Sequence, residues 1–198
     1  MFNWFEQLDQ DIVLAVNSWN HPVFDFFFSL VSGKFFWIPI YCVLLFLVFK
    51  KLGWKNALLF LGMVAVCIFV VDSGSVYLFK EVFKRYRPSH HLQLSKLLHF
   101  QLDSHGQPML GGQYGFISSH AANFAAITCM VGLLLKNEFP KLIYWLAGIT
   151  LLVCYSRIYL GMHYLSDVVV GALWGAGIGY LFYKCYLLLL LQTKKRSA

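Results

Sequence analysis

Charged side chains are scarce in this sequence. Asp, Glu, Lys and Arg make up 13% of the 198 residues, while 59% are hydrophobic and 18% aromatic. An ordinary soluble domain carries about 25% charged residues. A soluble fold is excluded, because the apolar residues run in long blocks that would have nowhere to hide from water. Acid is the rarest charge, with 9 Asp and Glu against 16 Lys and Arg and a formal net charge of +7. A soluble protein of that charge would point to nucleic acid. Here there is no separate basic domain, and the charges sit between apolar blocks, so anionic lipid fits better. Cysteines number five: Cys42, Cys67, Cys129, Cys154 and Cys185. All lie inside apolar segments and none forms a CxxC pair, so no disulfide and no cysteine metal site is expected. The N-terminus lacks a basic start followed by an apolar run. Residues 1–20 instead carry Glu6, Asp9 and Asp11, so no cleavable signal peptide is expected.

The apolar blocks are what the sequence has in plenty. Spanning a bilayer by helix takes about 20 mostly apolar residues. Five segments approach this: 35–50, 56–79, 118–135, 141–157 and 167–191. The expected fold is all-α, a polytopic membrane bundle of five to six transmembrane helices. Residues 3–19 read as an amphipathic surface helix, with Phe5, Leu8, Ile12 and Ala15 at helical spacing and Glu6, Asp9 and Gln10 elsewhere. Residues 22–32 are apolar but short, a re-entrant piece or a contribution to a sixth crossing. The chain divides into an N-terminal segment 1–33, a transmembrane domain 34–192 and a basic tail 193–198. Residues 88–115, polar and glycine-rich, form a loop long enough to be a lid. Gly171, Gly175 and Gly179 repeat every four residues, the mark of close helix packing.

Orientation follows from the basic residues. Lys50, Lys51, Lys55, Lys136, Lys141, Lys184, Lys194, Lys195 and Arg196 fall on one side; Lys34, Lys80, Lys84, Arg85, Arg87, Lys96 and Arg157 fall on the other. Setting aside Lys80, Arg87 and Arg157, which chemistry claims, the first group is the richer and is expected in the cytoplasm. The expected location is the inner membrane, with the 80–117 loop and the 157–166 turn both facing outward.

Three polar clusters sit at those outward helix ends. The first, Lys80 to Pro88, holds Lys80, Lys84 and Arg87, which would share a face if helical. Pro88 disfavours helix at Arg87 and is expected to end it there. Alone, this rim is equally well explained by snorkelling side chains. The second, residues 115–126, places Ser118 or Ser119 as the N-cap of a long apolar helix, with His120 in the first turn beside an anion-binding terminus. Alone, it reads as a capped helix with a surface histidine. The third, residues 156–167, pairs His163 with Asp167 four residues on, beside Arg157. A carboxylate holding imidazole Nδ1 leaves Nε2 free to act as a nucleophile. Breaking a phosphate ester needs cations on the nonbridging oxygens, a nucleophile in line and an acid for the leaving group. Lys80, Arg87 and Arg157 fit the first part, His163 the second and His120 the third.

These residues resemble the type 2 phosphatidic acid phosphatase family, which shares a helical catalytic core with vanadium haloperoxidases. Its pattern is KxxxxxxRP, then PSGH, then SRxxxxxHxxxD. Lys80, Arg87 and Pro88 match the first; Ser156, Arg157, His163 and Asp167 match the third; Ile117, Ser118, Ser119 and His120 stand for the second. The resemblance spans about residues 55–185, in order and spacing. It implies that Lys80, Arg87, Ser118, Ser119 (through its backbone N–H) and Arg157 bind phosphate. His163 would attack phosphorus, His120 would protonate the departing oxygen and then activate water, and Asp167 would orient His163. No metal or other cofactor is implied. Two positions depart from the pattern: Ile117 replaces proline, and Ser119 replaces glycine, which puts a side chain beside the phosphate.

The expected activity is therefore that of a lipid phosphate or diphosphate phosphatase working through a phosphohistidine. Undecaprenyl diphosphate is the first choice of substrate, on resemblance and small size alone. Phosphatidate, phosphatidylglycerol phosphate and the phosphates of lipid A stay open, as does phosphotransfer to another alcohol. A transporter or lipid-binding protein is the alternative from another class, but it predicts polar residues spread through the helices and often repeats, whereas these gather at one end. The bilayer and the lipid are the expected partners; neither nucleic acid nor an obligatory protein partner is. His90, His91, His99 and His105 lie in the loop at spacings that fit no standard metal site. Asp72 lies inside an apolar segment, facing a nearby serine, a neighbouring helix or the substrate cavity.

Overall fold

The computed structural model describes residues 3–103 and 105–196, with side chains described up to Gln192. Six helices carry the fold: α1 (Asn3–Asn17), α2 (Pro22–Ser32), α3 (Ile38–Gly74), α4 (Ser119–Leu134), α5 (Leu142–Tyr159) and α6 (Leu165–Arg196). Helical character continues from α3 through a π-type turn, Ser75–Lys80, and a last turn, Glu81–Phe83.

The run Phe35–Phe83 is apolar over 49 residues. A straight helix of that length would measure about 73 Å, more than twice a hydrocarbon core. Gly53 resolves the excess, because its φ of 68° breaks the helix into two arms. A left-handed backbone here suits only glycine. The two arms, α4, α5 and α6 coincide with the five apolar segments of the sequence. Among the described residues, three apolar runs are long enough to cross by themselves, the 49-residue one being long enough to do so twice; α4 is shorter, at 16 residues.

The turn at Gly53 and the α4–α5 turn lie at the same end of the bundle. Lys51 donates to Glu138 at 2.7 Å and also to the Leu134 carbonyl. Tyr186 of α6 donates to the Asn56 carbonyl at 3.3 Å. Thus the two turns that carry Lys50, Lys51 and Lys55 on one side and Lys136 and Lys141 on the other are joined through Lys51. Of the basic tail at 193–198, only helical backbone to Arg196 falls within the described residues.

Helix α2 is too short to make a sixth crossing by itself. Its 11 residues span about 16 Å. Both α1 and α2 are pinned to the opposite end of the bundle: Asn17 donates to the Tyr159 carbonyl at 2.8 Å, and Tyr159 donates to Asp25 at 2.6 Å. Helix α1 is also turned over relative to its apolar pattern. Phe5 and Leu8 are exposed, while Asp9, Val13 and Asn17 are buried against the bundle. A helix at a membrane boundary gives its apolar stripe to lipid, which leaves its polar stripe for the protein.

Helices α4 and α6 meet backbone to backbone. A Cβ on Gly171, Gly175 or Gly179 would lie 2.6 Å from the Ser118 carbonyl oxygen, 1.9 Å from that of Ala122 and 2.7 Å from that of Ala126. Close packing, as the four-residue repeat suggests, sets where α4 begins relative to α6.

Candidate active site

Two corrections concern the first cluster. The helix ends at Phe83, well before Pro88, because Lys84 adopts φ 45°, ψ 34°, a left-handed C-terminal cap. Lys80, Lys84 and Arg87 therefore share no helical face. Lys80 lies in the π-type turn, where its Nζ donates to Ser119 Oγ at 2.7 Å. Arg87 is extended and held by the far end of the loop: its N–H bonds the Gln113 carbonyl at 3.1 Å and its Nε bonds the Tyr114 carbonyl at 3.1 Å. Glycines let the loop close on this guanidinium. A Cβ on Gly111 would stand 2.5 Å from Arg87 Nη1, and one on Gly115 2.9 Å from Arg87 Cγ.

Ser118 is the N-cap of α4, with Oγ accepting from the Ala121 N–H at 3.5 Å. It is fully buried, and its own N–H goes to the Asp167 carbonyl at 3.0 Å. That bond ties the start of α4 to the first turn of α6. Ser119, the residue departing from the glycine of the pattern, has a defined place. Ser75 Oγ donates its one proton to the Asp72 carbonyl at 2.7 Å. The 2.6 Å contact between Ser75 and Ser119 hydroxyls then takes its proton from Ser119. Ser119 Oγ is left to accept from Lys80, and the side chain anchors the lysine.

Arg157 lies in the last turn of α5, almost wholly buried. Its Nη1 donates to Ser32 Oγ, while its Nε is buried without a partner. The carbonyl of Arg157 accepts from the N–H groups of Met162 at 3.0 Å and His163 at 3.2 Å, so the turn that carries the histidine wraps the arginine's own backbone. Gly161, at φ 65°, makes this turn possible. His163 is 1% exposed, and its Nδ1 lies 3.3 Å from Asp167 Oδ2, which also accepts from the Tyr164 N–H at 3.0 Å. Nε2 is thereby directed to the cluster of cations.

Arg87 and Arg157 act on Lys80, on His120 and on His163, and Lys80 acts on His163, so these five groups form one electrostatic cluster. Among the described residues, Lys80, Arg87 and Arg157 make no ion pair, although Arg85, in the same loop, makes two. Burial, with Arg87, Arg157 and Lys80 facing it, holds the His163 imidazole well below its ordinary value; a hydrogen bond to Gly115 opposes this only in part. A neutral imidazole beside three cations can attack an anion. The acid limb of the pH–rate profile is expected well below pH ~6.5, the ordinary histidine value. Measuring kcat/KM from pH 4 to 8 checks it; a limb at or above the ordinary value contradicts it.

Reading the sequence did not single out Arg85, Asn123 or Ser32. Arg85 Nη1 bonds Asp167 Oδ1 at 3.1 Å and Ser166 Oγ at 2.7 Å, and its guanidinium lies over the Tyr164 ring. Asn123 Oδ1 is buried without a partner. Position in the motif could have flagged Arg85, two residues before Arg87; nothing local flags Ser32. Asp72, Ser73, Asn123, His120 and Ser119 line the polar end of a cavity of about 960 Å³, walled by apolar residues of α3 and α4. Two of the loop histidines have defined contacts: His91 Nδ1 accepts from the Leu94 N–H at 3.1 Å, and His99 Nε2 meets Asp25 Oδ2 of α2 at 3.0 Å. All five cysteines are free thiols.

A helical membrane bundle with a buried, unpaired cationic pocket at one end defines a class, the membrane phosphatases. Residues 56–189 match the PAP2 superfamily, and the chain belongs to it. It is 34% identical over 181 residues to a lipid A 4'-phosphatase of Porphyromonas gingivalis, covering 91% of this chain and 74% of that protein. A lipid A 4'-phosphatase of Bacteroides thetaiotaomicron is 30% identical, with 92% and 79% covered. An undecaprenyl-diphosphatase of Sulfolobus acidocaldarius is 31% identical over 157 residues, with 78% and 66% covered. Among solved structures, a transmembrane PAP2-type phosphatidylglycerolphosphate phosphatase from Bacillus subtilis superposes with a TM-score of 0.63 at 22% identity, covering 96% of this chain and 88% of that one. That likeness is one of fold.

Proposed function

We propose that this phosphatase removes a phosphate from a membrane glycolipid of the lipid A kind through a phosphohistidine at His163. One observation carries the reaction: Lys80, Arg87 and Arg157 act together on His163 and, among the described residues, none of them is in an ion pair, while an Arg157 nitrogen is buried without a partner. Burying cations unpaired is costly, and a bound phosphate offsets that cost. His163 Nε2 forms a bond to phosphorus as the ester oxygen leaves, taking a proton from His120. His120 then accepts a proton from water, whose oxygen attacks phosphorus, and the P–N bond breaks to release inorganic phosphate. Asp167 orients the ring and supports the positive charge that develops on it. The helix N-terminus at Ser118 and Ser119 adds its dipole to the oxyanions. No step calls for a metal.

The choice of lipid rests on two grounds. Two relatives that align with more than nine-tenths of this chain are named for the 4'-phosphate of lipid A. Asn123 also lines the cavity beside the site, and its buried Oδ1 is an acceptor in want of a donor. An acylated sugar offers hydroxyl and amide protons just below its phosphate; an isoprenyl diphosphate offers only hydrocarbon. Undecaprenyl diphosphate is the second reading, favoured by the Sulfolobus relative. The pocket faces the outside of the inner membrane in this proposal, because the lysines gathered near Gly53 and Glu138 mark the cytoplasmic end. Residues 88–115 form a lid over it.

Purified protein, assayed with EDTA present, is expected to release phosphate from lipid A bearing a 4'-phosphate at least about tenfold faster than from undecaprenyl diphosphate, a margin of about 1.4 kcal/mol. The reverse order would install the second reading. Activity that disappears with the chelator would remove the metal-free mechanism.

A further inference from the structure

Asp9 is an acid 7% exposed on a helix whose other face gives Trp4, Phe5 and Leu8 to the surroundings. Its Oδ1 accepts from the Ser166 N–H at 3.0 Å. Its Oδ2 accepts from Arg85 Nη2 at 2.8 Å and from the Ser166 hydroxyl. Arg85 then bonds Asp167 Oδ1 through Nη1 at 3.1 Å, and Asp167 Oδ2 faces His163 Nδ1 at 3.3 Å. The result is one line of contacts, Asp9 to Arg85 to Asp167 to His163, running from α1 to the histidine. Asp9 lies outside residues 56–189, the stretch that matches the superfamily.

We propose that Asp9 and Arg85 are positioning residues for the nucleophile, with Asp9 holding Arg85 so that only one oxygen of Asp167 is engaged and the other is kept for His163. This rests on His163 being the nucleophile. An arginine facing a single carboxylate favours a two-pronged pair that occupies both oxygens. Asp9 divides the fork: one terminal nitrogen serves Asp9, the other Asp167. The trio Asp9, Arg85 and Asp167 then carries a net charge of −1. Without Asp9 it carries none, and the positive charge that grows on His163 during attack on phosphorus loses support. The other charged or titratable groups around His163 are Lys80, Arg87, Arg157 and His120, with Tyr164 beside Arg85. The remaining acids nearby are Asp72, which acts on Lys80, and Glu6, which acts on Tyr164; the hydrogen bond to Arg85 is made by Asp9.

The test uses the full chain in detergent, with the lipid phosphate that the wild type turns over. Asp9→Asn is expected to lower kcat by about 10- to 100-fold, with KM changed less than about threefold. It also moves the acid limb of kcat/KM to lower pH, because a negative charge near His163 is gone. Arg85→Lys, which keeps charge but loses the fork, lowers kcat likewise. Asp9→Glu recovers part of the rate. A helix that merely braces the fold would lower melting temperature and the yield of active protein, leaving the kcat of folded molecules and the pH limb where they were; that result overturns the proposal. An inactive His163→Ala beside a normal Asp9→Asn removes the positioning role alone. An active His163→Ala removes the nucleophile assignment and this proposal with it.

Discussion

His163→Ala is expected to abolish turnover, by on the order of 10⁴-fold or more, with the protein still folded. The ring is enclosed by the turn that wraps Arg157 and touches solvent at only 1% of its surface, so no other nitrogen can take its place. His120→Gln separates the two halves of the reaction. With an aryl phosphate, whose departing oxygen needs no proton, attack by His163 still proceeds, whereas the water that must clear the P–N bond has lost its base. Radiolabelled phosphate should then stay on His120→Gln, stable to alkali and lost in mild acid, and should never appear on His163→Ala. Label on the His163→Ala protein would transfer the nucleophile's part to another residue. Label that fails to accumulate on His120→Gln, with hydrolysis unslowed, would remove His120 from the second step.

The parts of this site that can be read in the chain are those fixed by short spacing. His163 and Asp167 are four apart, and the structure brings them together as that spacing implies. Five crossings follow from hydrophobic length, including the break near Gly53, where Lys50, Lys51 and Lys55 interrupt the apolar run. What pattern misread is where one principle overrode another. Pro88 correctly forbids helix at Arg87, yet the helix stops earlier at Lys84, because Arg87 must turn back to pair with Gln113 and Tyr114 across a loop of 25 residues or more. Helix α1 reads in the sequence as an amphipathic surface helix. Asp9 and Asn17 instead dock on the bundle beside Val13, while Glu6 stays exposed, because their partners, Arg85, Ser166 and Tyr159, are far away in sequence. Ser32 beside Arg157 is 125 residues distant, and no local periodicity encodes such a contact.

Gly175→Ala is expected to cost both stability and rate, although the residue touches no part of the reaction. Its Cβ would lie 1.9 Å from the Ala122 carbonyl oxygen, a backbone atom that no rotamer change can move. Relief requires α4 and α6 to separate by about 1 Å, in a membrane where close contact between small residues is itself what holds helices together. An overpacked contact of this kind costs about 1–3 kcal/mol. The separation also acts at the site. The Ser118 N–H bond to the Asp167 carbonyl joins these same two helices at their site ends. His120 follows α4, and Asp167 follows α6. A shift of about 1 Å between the proposed acid and the carboxylate behind the proposed nucleophile is worth about 10²-fold in rate. Gly177→Ala is the matched control, since a Cβ there meets nothing within 4 Å. It adds the same methyl group to the same helix and is expected to leave melting temperature and kcat unchanged, or to raise stability slightly through helix propensity. If the two variants melt and turn over alike, the glycine stripe does not set the distance between the two halves of the site, and the spacing of His120 from Asp167 must be fixed by the loop instead.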